Sequence, residues 1–130
     1  MNTKLLMTAS SVVMGILGIV LIFLPKEILS NLHQTPTETL ILTAQIMGAL
    51  YFGFAAMNWM AKNLVIGGIY SKPLSLGNFA HFFIAALALI KSLTNNHFAS
   101  KYIWVLTIIY TLFAVAFAKV SFTNPKIKQP

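Results

Sequence analysis

The chain has no cysteine, no arginine and no aspartate, and only two glutamates, Glu27 and Glu38, among its 130 residues. Without cysteine there is no disulfide, iron–sulfur cluster, thiolate zinc site or cysteine nucleophile. Both glutamates lie outside the apolar runs. No carboxylate cluster is therefore available to hold magnesium and diphosphate, as prenyl transfer requires. An intramembrane carboxylate of the kind ion-coupled transporters usually carry is missing too. The histidines His33, His81 and His97 are far apart, whereas a zinc site needs three or four ligands. His33 with His97 would make at best a weak, adventitious site. Two-histidine haem ligation fails because only His81 lies in an apolar run. A Ser11–His81 dyad lacks a carboxylate to orient the imidazole. The expectation is no metal site and no cofactor, with catalysis by this chain alone ranked below a non-catalytic role.

Charge of either sign is scarce. Only 8% of residues are charged and 58% are apolar, against roughly 25% charged in a typical soluble domain. The apolar excess must face lipid or partner proteins. The net charge of +7 comes from nine lysines. Nucleic-acid binding needs basic residues clustered on one face, whereas these lysines are scattered and mostly flank apolar segments. There they orient a membrane protein and meet anionic headgroups. No nucleic-acid partner is expected.

What is present is four long apolar runs, at residues 5–24, 39–60, 76–92 and 102–120. Twenty residues at ~1.5 Å each cross a hydrocarbon core. The first run ends in Ile-Phe-Leu-Pro-Lys-Glu rather than in a small-residue cleavage site, so it reads as a retained helix rather than a signal peptide. Thr37 or Thr39 is placed to cap the second helix, with Glu38 in its first turn. The third run, opened by Asn78 and closed by Lys91, is the shortest and most polar. Residues 25–38 suggest a brief interfacial helix. In residues 61–75, Gly67-Gly68 and Pro73 punctuate a turn. Tyr102 and Trp104 suit a headgroup-level aromatic belt, and Trp59 and Tyr70 read as interfacial anchors. The expected fold is an all-α membrane protein, an antiparallel four-transmembrane-helix bundle forming a single domain over residues 1–130. The tail beyond Phe122 reads as frayed.

Four spans put both termini on one side. That side holds Lys4, Lys62, Lys72, Lys119, Lys126 and Lys128, while Lys26, Lys91, Lys101 and both glutamates fall on the other. The positive-inside rule then places both termini in the cytoplasm, with the chain in the cytoplasmic (inner) membrane.

Each run carries small or polar residues at helical spacing. These are Thr8, Ser11, Gly15 and Gly18; then Ala44, Gly48, Tyr51, Ala55 and Asn58. The third run has Asn78, His81, Ala85, Ala88 and Ser92, and the fourth Thr107, Thr111, Ala114, Ala118 and Ser121. Between membrane helices, close backbone approach and hydrogen bonds replace the hydrophobic drive, so such stripes mark contact faces. Gln45, beside Gly48, reads as interhelical glue. In the bundle, Asn58, Asn78, His81, Thr8 and Ser11 should converge in the inner third, with Tyr51 just above. An ionisable residue in a span is a functional-site hypothesis, and His81 is the one well inside. Two readings fit: a cavity for the polar head of a lipid, quinone or isoprenoid-like molecule, or a hydrogen-bond network locking the second and third spans together. The network is preferred.

Several stretches carry a resemblance. They are Phe23-Leu24-Pro25, Gly48-Ala49-Leu50-Tyr51-Phe52-Gly53-Phe54-Ala55 with Asn58-Trp59, Gly67-Gly68-Ile69-Tyr70-Ser71-Lys72-Pro73-Leu74, and Gly77-Asn78-Phe79-Ala80-His81-Phe82. In these the chain resembles the DoxX-like and related small four-span bacterial membrane proteins. The resemblance implies the four-span fold. Some DoxX relatives are similar to subunits of quinone-linked oxidoreductases, but no functional residue carries over. The expected role is a non-catalytic accessory or scaffold subunit in membrane lipid, with a membrane-protein partner or a second copy of itself. The alternatives are a lipid- or quinone-binding protein using the His81 cluster, and a small transporter or channel-like oligomer. The lack of charged pore-lining residues speaks against selective ion conduction.

Overall fold

The computed structural model describes residues 2–95 and 100–123. Among them it is all-α, with no strand. The helices are α1 (Thr3–Phe23), α2 (Pro25–Asn31), α3 (Glu38–Ala61), α4 (Lys72–Thr94) and α5 (Lys101–Phe122), with one 3-10 turn, Ile69–Ser71, leading into α4. Helices α1, α3, α4 (with its leading turn) and α5 are each long and apolar enough to cross a membrane. This is the fold of a multi-pass membrane protein.

The helix ends follow from local chemistry. Asn2 accepts from the Leu5 amide at 3.2 Å and starts α1, and Thr37 accepts from the Leu40 amide at 3.3 Å and starts α3. Each side chain satisfies a first-turn donor that has no intrahelical partner. Pro25 opens α2, where its missing amide costs nothing. That helix closes with the Gln34 amide bonded to the Leu29 carbonyl at 2.9 Å and the His33 amide bonded to the Ser30 carbonyl at 3.0 Å. This paired closure needs a left-handed residue, and His33 supplies it at φ 56°.

One boundary differs from expectation. Helix α4 begins at Lys72 rather than at Leu76, and at 23 residues it is not the shortest span. Pro73 is not part of a turn before the helix but occupies its first turn, where the fixed φ of proline is favourable.

The chain divides into two compact units, one of residues 2–63 and one from Leu64 onward. In the first, α1 and α3 run antiparallel, shown by pairs that meet at opposite ends: Ser10 with Asn58, and Ile22 with Gln45. Between these pairs Gly18 and Gly48 meet backbone to backbone. The contact faces are Met7, Ser10, Ser11, Met14 and Gly18 on α1, and Ala44, Gly48, Ala55 and Asn58 on α3. In the second unit α4 and α5 are also antiparallel, with Phe79 against Phe122 and Phe82 against Phe117 and Tyr110.

The contact stripe expected on α4 is only partly the buried one. Ser75, Asn78, Phe82 and Ala86 are buried, whereas Ala88 is exposed. The small residues Thr107, Ala114 and Ser121 of the stripe expected on α5 are buried, and interlocking rings fill the rest of the α4–α5 contact. Phe82 stacks on Phe117 at 5.6 Å and lies 4.8 Å from Phe113. Ring pairs at these separations add attraction beyond their buried area.

Candidate functional site

In the first unit, Asn58 is fully buried and donates its Nδ2 hydrogen to the Ser10 Oγ at 3.0 Å. The Ser10 hydroxyl in turn donates to the Met7 carbonyl at 3.0 Å. Next to it, the Ser11 hydroxyl crosses to the Ala55 carbonyl of α3 at 2.7 Å. This contact brings a side-chain donor to a carbonyl already used within its helix, a second bond the free lone pair permits. Toward the other end Gln45 donates to the Ile22 carbonyl at 3.3 Å. That carbonyl lies in the last turn of α1 and lacks a helical partner. These three side chains bond α1 to α3 directly.

Two further candidates of this unit are placed differently. Thr8 turns its hydroxyl back to the Lys4 carbonyl of its own helix at 2.8 Å. Tyr51 is half-buried on the α3 face between Gly48 and Ala55. Past Asn58, the Lys62 Nζ stands 3.1 Å from the Trp59 ring centroid, a cation–π contact at the end of α3.

In the second unit, Asn78 and His81 lie about a turn apart on α4. Asn78 is fully buried and donates to the Leu74 carbonyl at 3.0 Å. His81 is half-buried. Its ring lies 5.1 Å from that of Phe82, edge-on, and 5.7 Å from that of Tyr110. Phe82 and Tyr110 are themselves edge-to-face at 5.2 Å, and both are buried. The imidazole is thus seated against an aromatic wall built from α4 and α5.

Of the six candidates, Thr8, Ser11, Tyr51 and Asn58 belong to the α1–α3 unit, and Asn78 and His81 to α4 of the second unit. Sequence reasoning missed Ser10 and Tyr110. Ser11 fits the small-residue stripe and Ser10 does not, yet the hydroxyls of both bond residues of α3. The available signal was the run Met7, Ser10, Met14, in which a polar residue sits a helical turn from two apolar ones. Tyr110 was hidden inside an apolar run that reads as lipid-facing.

The groups gathered in these sites are amides, hydroxyls, one imidazole and aromatic rings, all able to exchange hydrogen bonds or stack. Glu27 and Glu38 sit in the first turns of α2 and α3, on exposed positions. Among the described residues no three His, Asp or Glu side chains gather closely enough to hold a metal ion. The His33–His97 pairing and the tail lysines Lys126 and Lys128 fall outside the described residues. No protein-family model, curated protein or solved structure matches the chain.

Proposed function

We propose that this multi-pass membrane protein is a non-catalytic accessory or scaffold subunit of the cytoplasmic membrane, with both termini on the cytoplasmic side. One observation carries the reading. The polar side chains that cross between helices in the first unit, Ser11, Asn58 and Gln45, are engaged in bonds from one helix to the other. Side chains used in this way hold helices together. Large apolar side chains point outward from the same helices, among them Ile16, Ile19, Leu50 and Phe52. They suit contact with lipid, a membrane-protein partner or a second copy. The lysine asymmetry supports the orientation, and kinship with the DoxX-like group belongs to the same proposal.

A second reading rests on His81. An imidazole against Phe82 and Tyr110 has the composition that would receive the polar head of a quinone or lipid. Native mass spectrometry of gently extracted protein, wild type beside His81→Ala, separates the two. A stoichiometric protein partner retained by both forms supports the scaffold. A discrete small molecule that a folded His81→Ala variant loses supports the binding protein and overturns the scaffold.

A further inference from the structure

The connection entering α4 combines a fastened backbone with an unusually apolar exterior. The Ser71 hydroxyl bonds the Val65 carbonyl at 2.6 Å and the Gly68 carbonyl at 3.3 Å. The Ser71 amide also bonds the Gly68 carbonyl, and the Gly68 amide the Val65 carbonyl. Residues 65–71 are thereby closed on themselves. They are also docked, since Gly67 approaches so near that a β-carbon there would stand 2.9 Å from the Val120 carbonyl oxygen, in the last turn of α5. Within the loop, Ile66 is buried.

The outer surface of this fastened loop is the reverse of what water selects. Leu64, Val65, Ile69 and Tyr70 are 57%, 69%, 87% and 101% exposed. Loops that run through water are normally polar, and four large apolar side chains gathered on one tight connection mark a contact surface.

Depth and charge indicate what covers it. The loop leads into α4 and packs on the end of α5, so it lies where both spans of this unit leave the membrane. The 23 residues of α4 extend ~34 Å at ~1.5 Å each, slightly more than a hydrocarbon core of ~30 Å, and the exposed Lys72 at its start belongs at headgroup level. Lys72 follows the loop and Lys119 lies in the last turn of α5, both exposed. No acidic residue occurs after Glu38, so this unit presents positive charge alone. Apolar side chains with tyrosine and lysine at that level match the boundary between acyl chains and anionic headgroups.

We propose that residues 64–71 form a lipid-inserting interfacial loop. Leu64, Val65, Ile69 and Tyr70 enter the headgroup–acyl boundary of the membrane the chain spans, and Lys72 and Lys119 hold anionic headgroups beside them. This goes beyond the scaffold reading and does not depend on it.

The absence of cysteine makes the test clean. Ile69→Cys, and Val65→Cys as a second site, are spin-labelled in nanodiscs of phosphatidylcholine with and without phosphatidylglycerol. Collisional relaxation is read with oxygen and with a water-soluble nickel chelate. Leu112→Cys serves as a lipid-facing reference and Glu27→Cys as an exposed polar one. The expected result is severalfold lower nickel accessibility at 69 and 65 than at 27, with oxygen accessibility approaching that at 112. Phosphatidylglycerol should lower nickel accessibility further, and Lys72→Gln with Lys119→Gln should abolish that extra protection. Labels freely reached by nickel would overturn insertion. Labels shielded from both reagents would overturn it in favour of a protein contact, including a second copy. Insertion indifferent to phosphatidylglycerol would overturn the role of the lysines.

Discussion

Gly18 of α1 and Gly48 of α3 each leave room for the backbone of the other: a β-carbon at Gly18 would stand 2.9 Å from the Gly48 carbonyl oxygen, and one at Gly48 would stand 2.8 Å from the Gly18 carbonyl oxygen. Neither obstacle is a side chain that can swing aside, so a methyl group at either position must push the helices apart. Gly18→Ala and Gly48→Ala are each expected to destabilise the α1–α3 pair by about 1–3 kcal/mol. Gly53 of α3 has nothing within 4 Å of such a β-carbon. Gly53→Ala should be neutral, or stabilising by up to about 1 kcal/mol through helix propensity. Unfolding in mixed micelles followed by far-ultraviolet circular dichroism ranks the three; equal effects at all three positions would sink the argument.

The Asn58–Ser10 bond joins two buried side chains across the same pair. A double-mutant cycle with Asn58→Ala and Ser10→Ala should give a coupling energy of about 0.6 kcal/mol, up to ~1.7. The cycle isolates this bond from other contacts of either side chain. Additive single effects would mean that the bond contributes nothing to holding the helices.

Gly67 combines a φ of +95° with close approach to the Val120 carbonyl. Gly67→Ala is expected to cost at least ~1–2 kcal/mol from the backbone term alone. Ser71→Ala, which removes the bond to the Val65 carbonyl, should cost about 1 kcal/mol. Both should raise cleavage by a protease within residues 64–71 in detergent. An unchanged cleavage rate in Gly67→Ala would show that the loop is not fastened as described.

His33 closes α2 in a left-handed conformation better suited to glycine. His33→Gly is expected to raise stability by a few tenths to about 1 kcal/mol, and His33→Val to lower it by at least as much, because a β-branched side chain fits that conformation worst. Thermal unfolding of the two variants beside wild type checks the sign, and a stabilising valine would refute the assignment.

The polar positions of the α1–α3 pair were legible because a polar side chain in an otherwise apolar run has few reasons to be there. Ser11, Asn58 and Gln45 each turned out to bond the other helix. Thr8 was legible by the same rule but bonds its own backbone, an option open to any serine or threonine in a helix and invisible in the sequence. On α4 the polar Asn78 is buried as the rule predicts, but the small-residue stripe misled: Ala88 is exposed, while Phe82, large and apolar, is buried. Apolar side chains serve lipid and protein contacts equally well, so a phenylalanine does not announce which it meets.

By itself the sequence determined the four spans and the all-α class, because ~20 apolar residues in a row satisfy a bilayer only as a helix that bonds its own backbone. Tertiary structure decided which helices pair through backbone contact at Gly18 and Gly48, and which through rings at Phe82, Tyr110 and Phe117. It also decided that Pro73 opens α4 and that Ile66 is buried while Ile69 beside it is exposed. The reason is physical. Hydropathy depends on composition along the chain, whereas packing depends on which atoms from distant segments fill the same space.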